Sequence, residues 1–352
     1  MMIKVSDYII RFLTEHGFRH VFMVSGGGAM HLVDSVGRHP TLKYICTHHE
    51  QAAAIAAEGY YRASGRMCAV IITSGPGGTN TLTGVIGQWL DSIPAIYLSG
   101  QVKQETTIES YRKLGLRQIG DQEINIVDIV RPVTKYAAIV KTPSSIRYHL
   151  EKALYLASHG RFGPVWLDIP LDVQGAILEE DKLALYNSTE DRQNLDKEEL
   201  PKMISKLFAM LKKAKRPIFI AGHGIRLSNS QKKFRQFIEK IKIPVLTTFC
   251  GCDLLPTEHP LYVGKPGTVG TRAGNFALQN ADLVISVGSR NNIRQVSYNW
   301  RDFARNGKKV IVDIDRAELK KPTVEPDLAI CADAGEFLKG CLNELEKIEL
   351  PD

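Results

Sequence analysis

A chain of 352 residues with 44% hydrophobic and 24% charged side chains has an ordinary globular composition and length enough for two domains. The formal charge of +7 comes from basic residues such as Lys212, Lys213, Lys215 and Arg216, then Lys232, Lys233, Arg235, Lys240 and Lys242. These read as solvated helix faces without interleaved aromatics, so no nucleic-acid partner is expected. No run approaches the ~18 to 20 apolar residues needed to span a bilayer, so no membrane partner and a cytoplasmic location are expected.

The start, MMIKVSDYIIRFLTEHGF, reads as an amphipathic helix with Ser6 as N-cap, an apolar stripe at Ile9, Ile10, Phe12 and Leu13, and Gly17 as the stop. Short β-rich runs then alternate with helical patterns at His20 to Ser25, Leu42 to Thr47, Met67 to Thr73, Ala95 to Ser99 and Val165 to Ile169. That alternation predicts βα units around a mostly parallel sheet. From 175 to 200 acids, Asn, Ser and Lys replace apolar periodicity, the composition of an interdomain linker. A second α/β series follows, with strands at Pro217 to Ala221, Pro244 to Thr248, Asp282 to Val287 and Lys309 to Ile314, and a last helix over Ala334 to Ile348. The expected fold class is therefore α/β, with two open, mostly parallel-sheet three-layer domains at 1–174 and 201–352. Six cysteines (Cys46, Cys68, Cys250, Cys252, Cys331, Cys341) form no disulfide framework, and Cys250-Gly-Cys252 has no second pair at zinc-site spacing, so reduced, mostly buried thiols and no metal site are expected.

Three segments fall where strands end and helices begin: Ser25-Gly-Gly-Gly28, His48-His-Glu50 and Thr73-Ser-Gly-Pro-Gly-Gly-Thr-Asn80. Ligands of open parallel sheets gather there, because glycines let the backbone approach and helix N-termini point N–H groups inward. The first turn fails the dinucleotide fingerprint, since His31 occupies its last glycine position. A zinc-protease helix is excluded by Ala53, and a serine elbow by Ile72. On residue chemistry alone Glu50 fits a helix-start carboxylate favoured by the macrodipole and a functional carboxylate equally well.

The segments HVFMVSGGGAMHLVDSV, CTHHEQAAAIAAEGYYRASGR, AVIITSGPGGTNTLTGVIGQWLDSIPAIYLSGQV, DQEINIVDIVRPVTKYA and GRFGPVWLDIPLDV closely resemble the N-terminal pyrimidine-binding domain of thiamine-diphosphate enzymes, in particular the acetolactate synthase branch. The resemblance implies that Glu50 hydrogen-bonds N1′ of the cofactor's aminopyrimidine and favours its imino tautomer, and that Ser25, Gly26, Gly27, Pro76 and Asn80 line the pyrimidine pocket. It matches Gln122 to an active-site glutamine, although the family has a longer loop before it. Lys135 also recurs in the family; an exposed basic residue of no special role is the plainer reading.

The second domain resembles the Rossmann-like central domain of the same enzymes, which in acetolactate synthases holds FAD. Gly222, Gly224, Gly264, Arg290 and Asp313 fall where flavin is contacted there, with His223 in place of a family glycine and Lys265-Pro266 in place of the usual Met-His. Family members carry a third domain that holds Mg²⁺ and the diphosphate from a Gly-Asp-Gly start; the nearest match in this chain is Gly120-Asp-Gln122, inside the first domain. The expectation is the first two domains of a three-domain carboligase, using thiamine diphosphate with Mg²⁺ and inactive by themselves. The parent would decarboxylate pyruvate or another 2-oxo acid, transfer the acyl unit to a second carbonyl, and assemble as a homodimer or homotetramer. A 2-oxo-acid decarboxylase or lyase and a non-catalytic nucleotide-binding or dimerisation module are the alternatives.

Overall fold

The computed structural model describes residues 2–191 and 198–347, which fall in two compact units, Met1–Arg192 and Gln193–Asp352. Each is built on one six-stranded sheet whose strands all run parallel.

The N-terminal unit contains β1 (Met2–Lys4), β2 (His20–Met23), β3 (Lys43–Cys46), β4 (Ala69–Ile72), β5 (Ile96–Gln101), β6 (Tyr136–Ile139), β7 (Val165–Pro170) and β8 (Ile177–Glu179). Its helices are α1 (Val5–Glu15), α2 (Met30–Arg38), α3 (Glu50–Ser64), α4 (Pro76–Thr79), α5 (Leu82–Asp91), α6 (Ile126–Val130), α7 (Ile146–Ser158) and α8 (Leu171–Gly175). The sheet order is β3-β2-β4-β5-β7-β6, and β1 pairs antiparallel with β8. All four residues of β4 are buried because the sheet is covered on both sides: Ala69 and Ile71 join one core with α1 and α7, while Val70 and Ile72 join another with α3, α5 and α6. Each fully buried Ile or Leu of this kind contributes about 1.5–3 kcal/mol.

Helix α1 starts at Val5, two residues earlier than a cap at Ser6 would allow. Its N-cap is Lys4, with no side-chain cap, and Ser6 is buried inside the first turn, where its hydroxyl accepts from Ser35 Oγ at 2.9 Å. The β1–β8 pairing explains the difference, because it delivers the Ala176 carbonyl to the Val5 N–H at 2.9 Å and removes the need for a capping hydroxyl. Gly17 does end the helix, at φ +82°, with the paired bonds Gly17 N–H to Thr14 O and Phe18 N–H to Leu13 O.

The polar composition of 175–200 does not prevent its first part from packing on the N-terminal unit. Leu183 is buried in that unit's core, Glu180 receives both terminal nitrogens of Arg11, and Lys152 pairs with Asp191 at 2.8 Å beneath the rings of Tyr136, Tyr148 and Tyr186. Residues 192–197 of the expected linker lie outside the described residues.

The central unit contains β9 (Pro217–Ala221), β10 (Val245–Thr247), β11 (Tyr262–Gly264), β12 (Leu283–Val287), β13 (Lys308–Asp313) and β14 (Leu328–Cys331), in the order β11-β10-β9-β12-β13-β14. Helices α9 (Leu200–Leu211), α10 (Gly224–Leu227), α11 (Gln231–Ile241), α12 (Arg272–Asn280), α13 (Ile293–Val296) and α14 (Ala334–Leu345) flank it. The strand order turns back at β9, so the loops after β9 and β12 form a topological switch point. The last helix ends at Leu345, short of the expected Ile348, which lies outside the described residues. No disulfide joins the six cysteines among the described residues, and Cys68 and Cys341 are the buried two of the six; burial pushes the Cys68 thiol up to about 12. Cys46 and Cys252 are exposed, because they sit in an open edge strand and in the turn after β10. Among the described residues no helix is long and apolar enough to cross a membrane, and no three His, Cys, Asp or Glu side chains are grouped to hold a metal.

Candidate active site

Strands β3, β2 and β4 are neighbours and parallel, so their carboxyl ends share one edge. The three sequence segments are the loops leaving that edge. Glu50 is the first residue of α3 and half-buried. The cap itself is made by His49, whose Nδ1 accepts the Gln51 N–H at 3.1 Å, so the carboxylate of Glu50 is not used to close the helix. It is met instead by the turn after β4: Asn80 Nδ2 donates to Glu50 Oε2 at 3.0 Å.

Thr73, at the end of β4, is the hub on which both glycine turns close. Its Oγ1 accepts the Gly28 N–H at 3.1 Å, and a Cβ on Gly26 would fall 2.5 Å from the Thr73 Cβ. A Cβ on Gly77 would fall 2.8 Å from Thr73 Cγ2 and 3.7 Å from Glu50 Oε1. Gly26 and Gly77 are thus packing requirements of the turn. Gly27 differs, since a Cβ there would meet nothing within 4 Å and would project into open space at the mouth of the loop. Ser25, Pro76 and Asn80 are exposed at the same edge. Reading the sequence did not single out Thr73 or the capping role of His49; the signal for the latter was an imidazole directly before a helix start.

Gln122 is brought to this edge by backbone contact. It is exposed, takes a left-handed φ of +55°, and lays its carbonyl against Gly75, where a Cβ would lie 2.0 Å from Gln122 O. Gly75 is itself at φ +60°, so only glycine fits both the conformation and the approach. The next residue, Glu123, is buried, and its carboxylate accepts the backbone N–H groups of Ile108, Ile119 and Gly120 at 2.6, 3.3 and 3.4 Å. That bonding closes the segment into a compact strap. Lys135 lies elsewhere: it precedes β6, on the amino-terminal edge of the sheet, and donates to the His159 carbonyl at 2.7 Å. Burial, reinforced by the nearby Arg161, lowers its pKa to about 8.

In the central unit Gly222 and Gly224 follow β9, Arg290 follows β12, and Gly264 and Asp313 end β11 and β13. The glycines are explained by loop packing. A Cβ on Gly222 would sit 2.2 Å from the Gly288 carbonyl oxygen and one on Gly224 2.7 Å from the Gly288 Cα. Gly264 takes φ +139°, and a Cβ there would lie 2.0 Å from Thr271 Oγ1. Asp313 is buried and accepts the Asp315 N–H at 2.9 Å.

Comparison with known proteins reaches both units. Residues 3–126 fit the family model described as "Thiamine pyrophosphate enzyme, N-terminal TPP binding domain" and residues 204–341 the one described as "Thiamine pyrophosphate enzyme, central domain". The chain belongs to the thiamine pyrophosphate enzymes. Among curated relatives, it is 36% identical to an acetolactate synthase large subunit of Lactococcus lactis over 343 residues, 97% of this chain and 56% of that protein. It is 34% identical to a probable acetolactate synthase large subunit of Methanocaldococcus jannaschii over 354 residues, 99% of this chain and 57% of that protein. It is 34% identical to acetolactate synthase 1, chloroplastic, of Zea mays over 339 residues, 96% of this chain and 51% of that protein. The chain thus spans roughly half the length of these relatives, and the alignments run through both units.

Proposed function

We propose that the carboxyl edge of β3, β2 and β4 receives the aminopyrimidine of thiamine diphosphate, as the pyrimidine-binding part of an acetolactate-synthase-type carboligase. That enzyme would decarboxylate pyruvate or another 2-oxo acid and pass the acyl unit to a second carbonyl. The observation that carries the reading is the Glu50–Asn80 pair: a half-buried carboxylate, relieved of capping by His49 and held through Oε2 by an amide, beside two glycine turns closed on Thr73.

When bound, the cofactor supplies the nucleophilic carbon. Glu50 would accept a ring N–H and share its proton, a task suited to a carboxylate partly withdrawn from water. Asn80 keeps that carboxylate in one orientation, and the open space beside Gly27 admits the ring. The exposed Gln122 side chain, which can both donate and accept, would orient a substrate carbonyl.

These side chains address the pyrimidine end alone, so the 352 residues by themselves are expected to bind thiamine diphosphate and Mg²⁺ weakly and to form no acetolactate. Calorimetric titration tests this; micromolar or tighter binding by the chain would refute it. Acetolactate production once metal and diphosphate anchors are supplied by the remaining portion of a relative would support the carboligase reading over a simple decarboxylase. For FAD the supporting feature is position, since the loops after β9 and β12 meet at the switch point and Asp313 ends the strand next to β12. A purified chain that is colourless and takes up no added flavin would remove FAD from the proposal. A homodimer or homotetramer belongs to the same reading.

A further inference from the structure

Strands β5 and β7 carry a buried polar chain for which the proposed chemistry has no use. Asp168 in β7 is 0% exposed and stands directly beside Ser99 of β5 in the parallel register. Its Oδ1 accepts from Ser99 Oγ at 2.5 Å, and that hydroxyl oxygen accepts from Trp166 Nε1 at 2.8 Å. Its Oδ2 accepts from Gln101 Nε2 at 3.1 Å. The same Gln101 nitrogen donates to the main-chain carbonyl of Ile124 at 3.0 Å, so both N–H groups of one amide are committed. The amide oxygen is committed as well, to the Val102 N–H at 3.0 Å.

A carboxyl in this place is costly. Burial outweighs the two donated hydrogen bonds and pushes Asp168 up to about 7. An apolar residue would suit the sheet interior better, and such local violations concentrate where a structure must hold something in place. What is held lies two residues before Ile124: Gln122, with φ +55° and its carbonyl pressed on Gly75.

We propose that Asp168 is a positioning residue for Gln122: by taking one N–H of the Gln101 amide it aims the other at Ile124 O and so fixes the turn that presents Gln122. For its functional meaning the inference rests on Gln122 belonging to the active site. The mechanical claim is independent of that assignment. Glu123, gathering the amides of Ile108, Ile119 and Gly120, secures the strap from the other side.

Amide hydrogen exchange on the full chain, without ligand, tests the inference with three variants. Gln101→Leu removes the link to Ile124 and leaves Asp168 with Ser99. Asp168→Asn opposes two N–H groups or strands the Ser99 hydroxyl, whichever way its amide turns. Ser99→Ala removes the Oδ1 partner but spares the Asp168–Gln101–Ile124 line. Exchange within 104–125 is expected to rise by about tenfold in Gln101→Leu and Asp168→Asn and to stay within about twofold of wild type in Ser99→Ala, with β4 and β5 protected throughout. Unchanged exchange of 104–125 in Gln101→Leu would overturn the inference. So would equal loosening by Ser99→Ala, or loss of protection across the whole unit in Gln101→Leu, because either makes the network a support of the core only. If Asp168→Asn does not fold, Gln101→Leu against Ser99→Ala decides. Thiamine diphosphate added afterwards probes the site reading separately: failure to protect Glu50–Asn80 segments would sink that reading and leave the exchange result standing.

Discussion

Asn80 reaches from the turn after β4 to Glu50 at the start of α3, donating its side-chain amide to Oε2 at 3.0 Å, and thereby ties together the two segments that flank β2. With His49 supplying the cap, Glu50 contributes to its helix only as a first-turn acid, worth about 0.3–1 kcal/mol. Glu50→Gln keeps an amide oxygen to accept from Asn80 and should lower stability by no more than about 2 kcal/mol in urea unfolding, the lost macrodipole and charge terms together, while abolishing any response to thiamine diphosphate. Larger destabilisation would return Glu50 to a structural role.

Asn80→Ala should weaken thiamine diphosphate binding by about tenfold, since a hydrogen bond to a charged group contributes about 1.5–3 kcal/mol and water replaces part of it. Asn80→Asp should weaken it further by setting two carboxylates against each other. The comparison of the two by calorimetry or titrated NMR shifts checks both the direction and the order.

Gly75→Ala combines an unfavourable φ of +60° with a Cβ 2.0 Å from Gln122 O. It should destabilise the N-terminal unit by more than about 1 kcal/mol and loosen 104–125. Gly27→Ala, whose Cβ meets nothing within 4 Å, should be stable by the same assay yet impair cofactor binding by filling the mouth of the loop.

The layout of both sheets was legible from periodicity: the expected strands coincide with β2, β3, β4, β5, β7, β9, β10, β12 and β13, most of them buried parallel strands that read as apolar runs, whereas the edge strand β3 is exposed throughout and betrayed itself by its β-rich Tyr-Ile-Cys alone. The strands β1, β6, β8, β11 and β14 escaped that reading, since they are short and largely half-exposed, and pairing rather than composition makes them strands. The convergence of Ser25, Glu50 and Asn80 followed from strand ends and glycines. The Gln101–Asp168 chain did not, because Ser-Gly-Gln and Leu-Asp-Ile are ordinary tripeptides until β5 and β7 align them. The glycines that the resemblance assigns to a flavin show the converse: backbone packing against Gly288 accounts for Gly222 and Gly224.

The titration of Asp168 carries a sign that stability measurements can read. Its folded pKa, about 7, lies above the ordinary value of 3.8 for a free carboxyl, so between those values the native state holds a proton that the unfolded chain has lost. Stability contributed by this group is present at the acid end of that window and is lost as pH rises through it. Asp168→Asn should flatten the decline between about pH 4 and 7 in denaturant unfolding; an unchanged slope would contradict the assignment.

Helices α3 and α5 pack closely, with Gly84 against Ala54, and leave Ile55, Ile86 and Leu90 exposed. If two copies of the proposed homodimer pair through this exposed apolar face, Ile86→Glu should shift a concentration series in gel filtration towards monomer. Elution as monomer by the wild type at every concentration would contradict dimerisation.

Backbone NMR of the chain titrated with thiamine diphosphate addresses the role of Glu50 without relying on turnover. Shifts should be confined to amides around Gln51, Gly27, Gly77 and Asn80 in the wild type and be absent in Glu50→Gln. The same shifts persisting in Glu50→Gln, or shifts mapping to Gly222–Gly224 instead, would contradict the claim that Glu50 faces the pyrimidine.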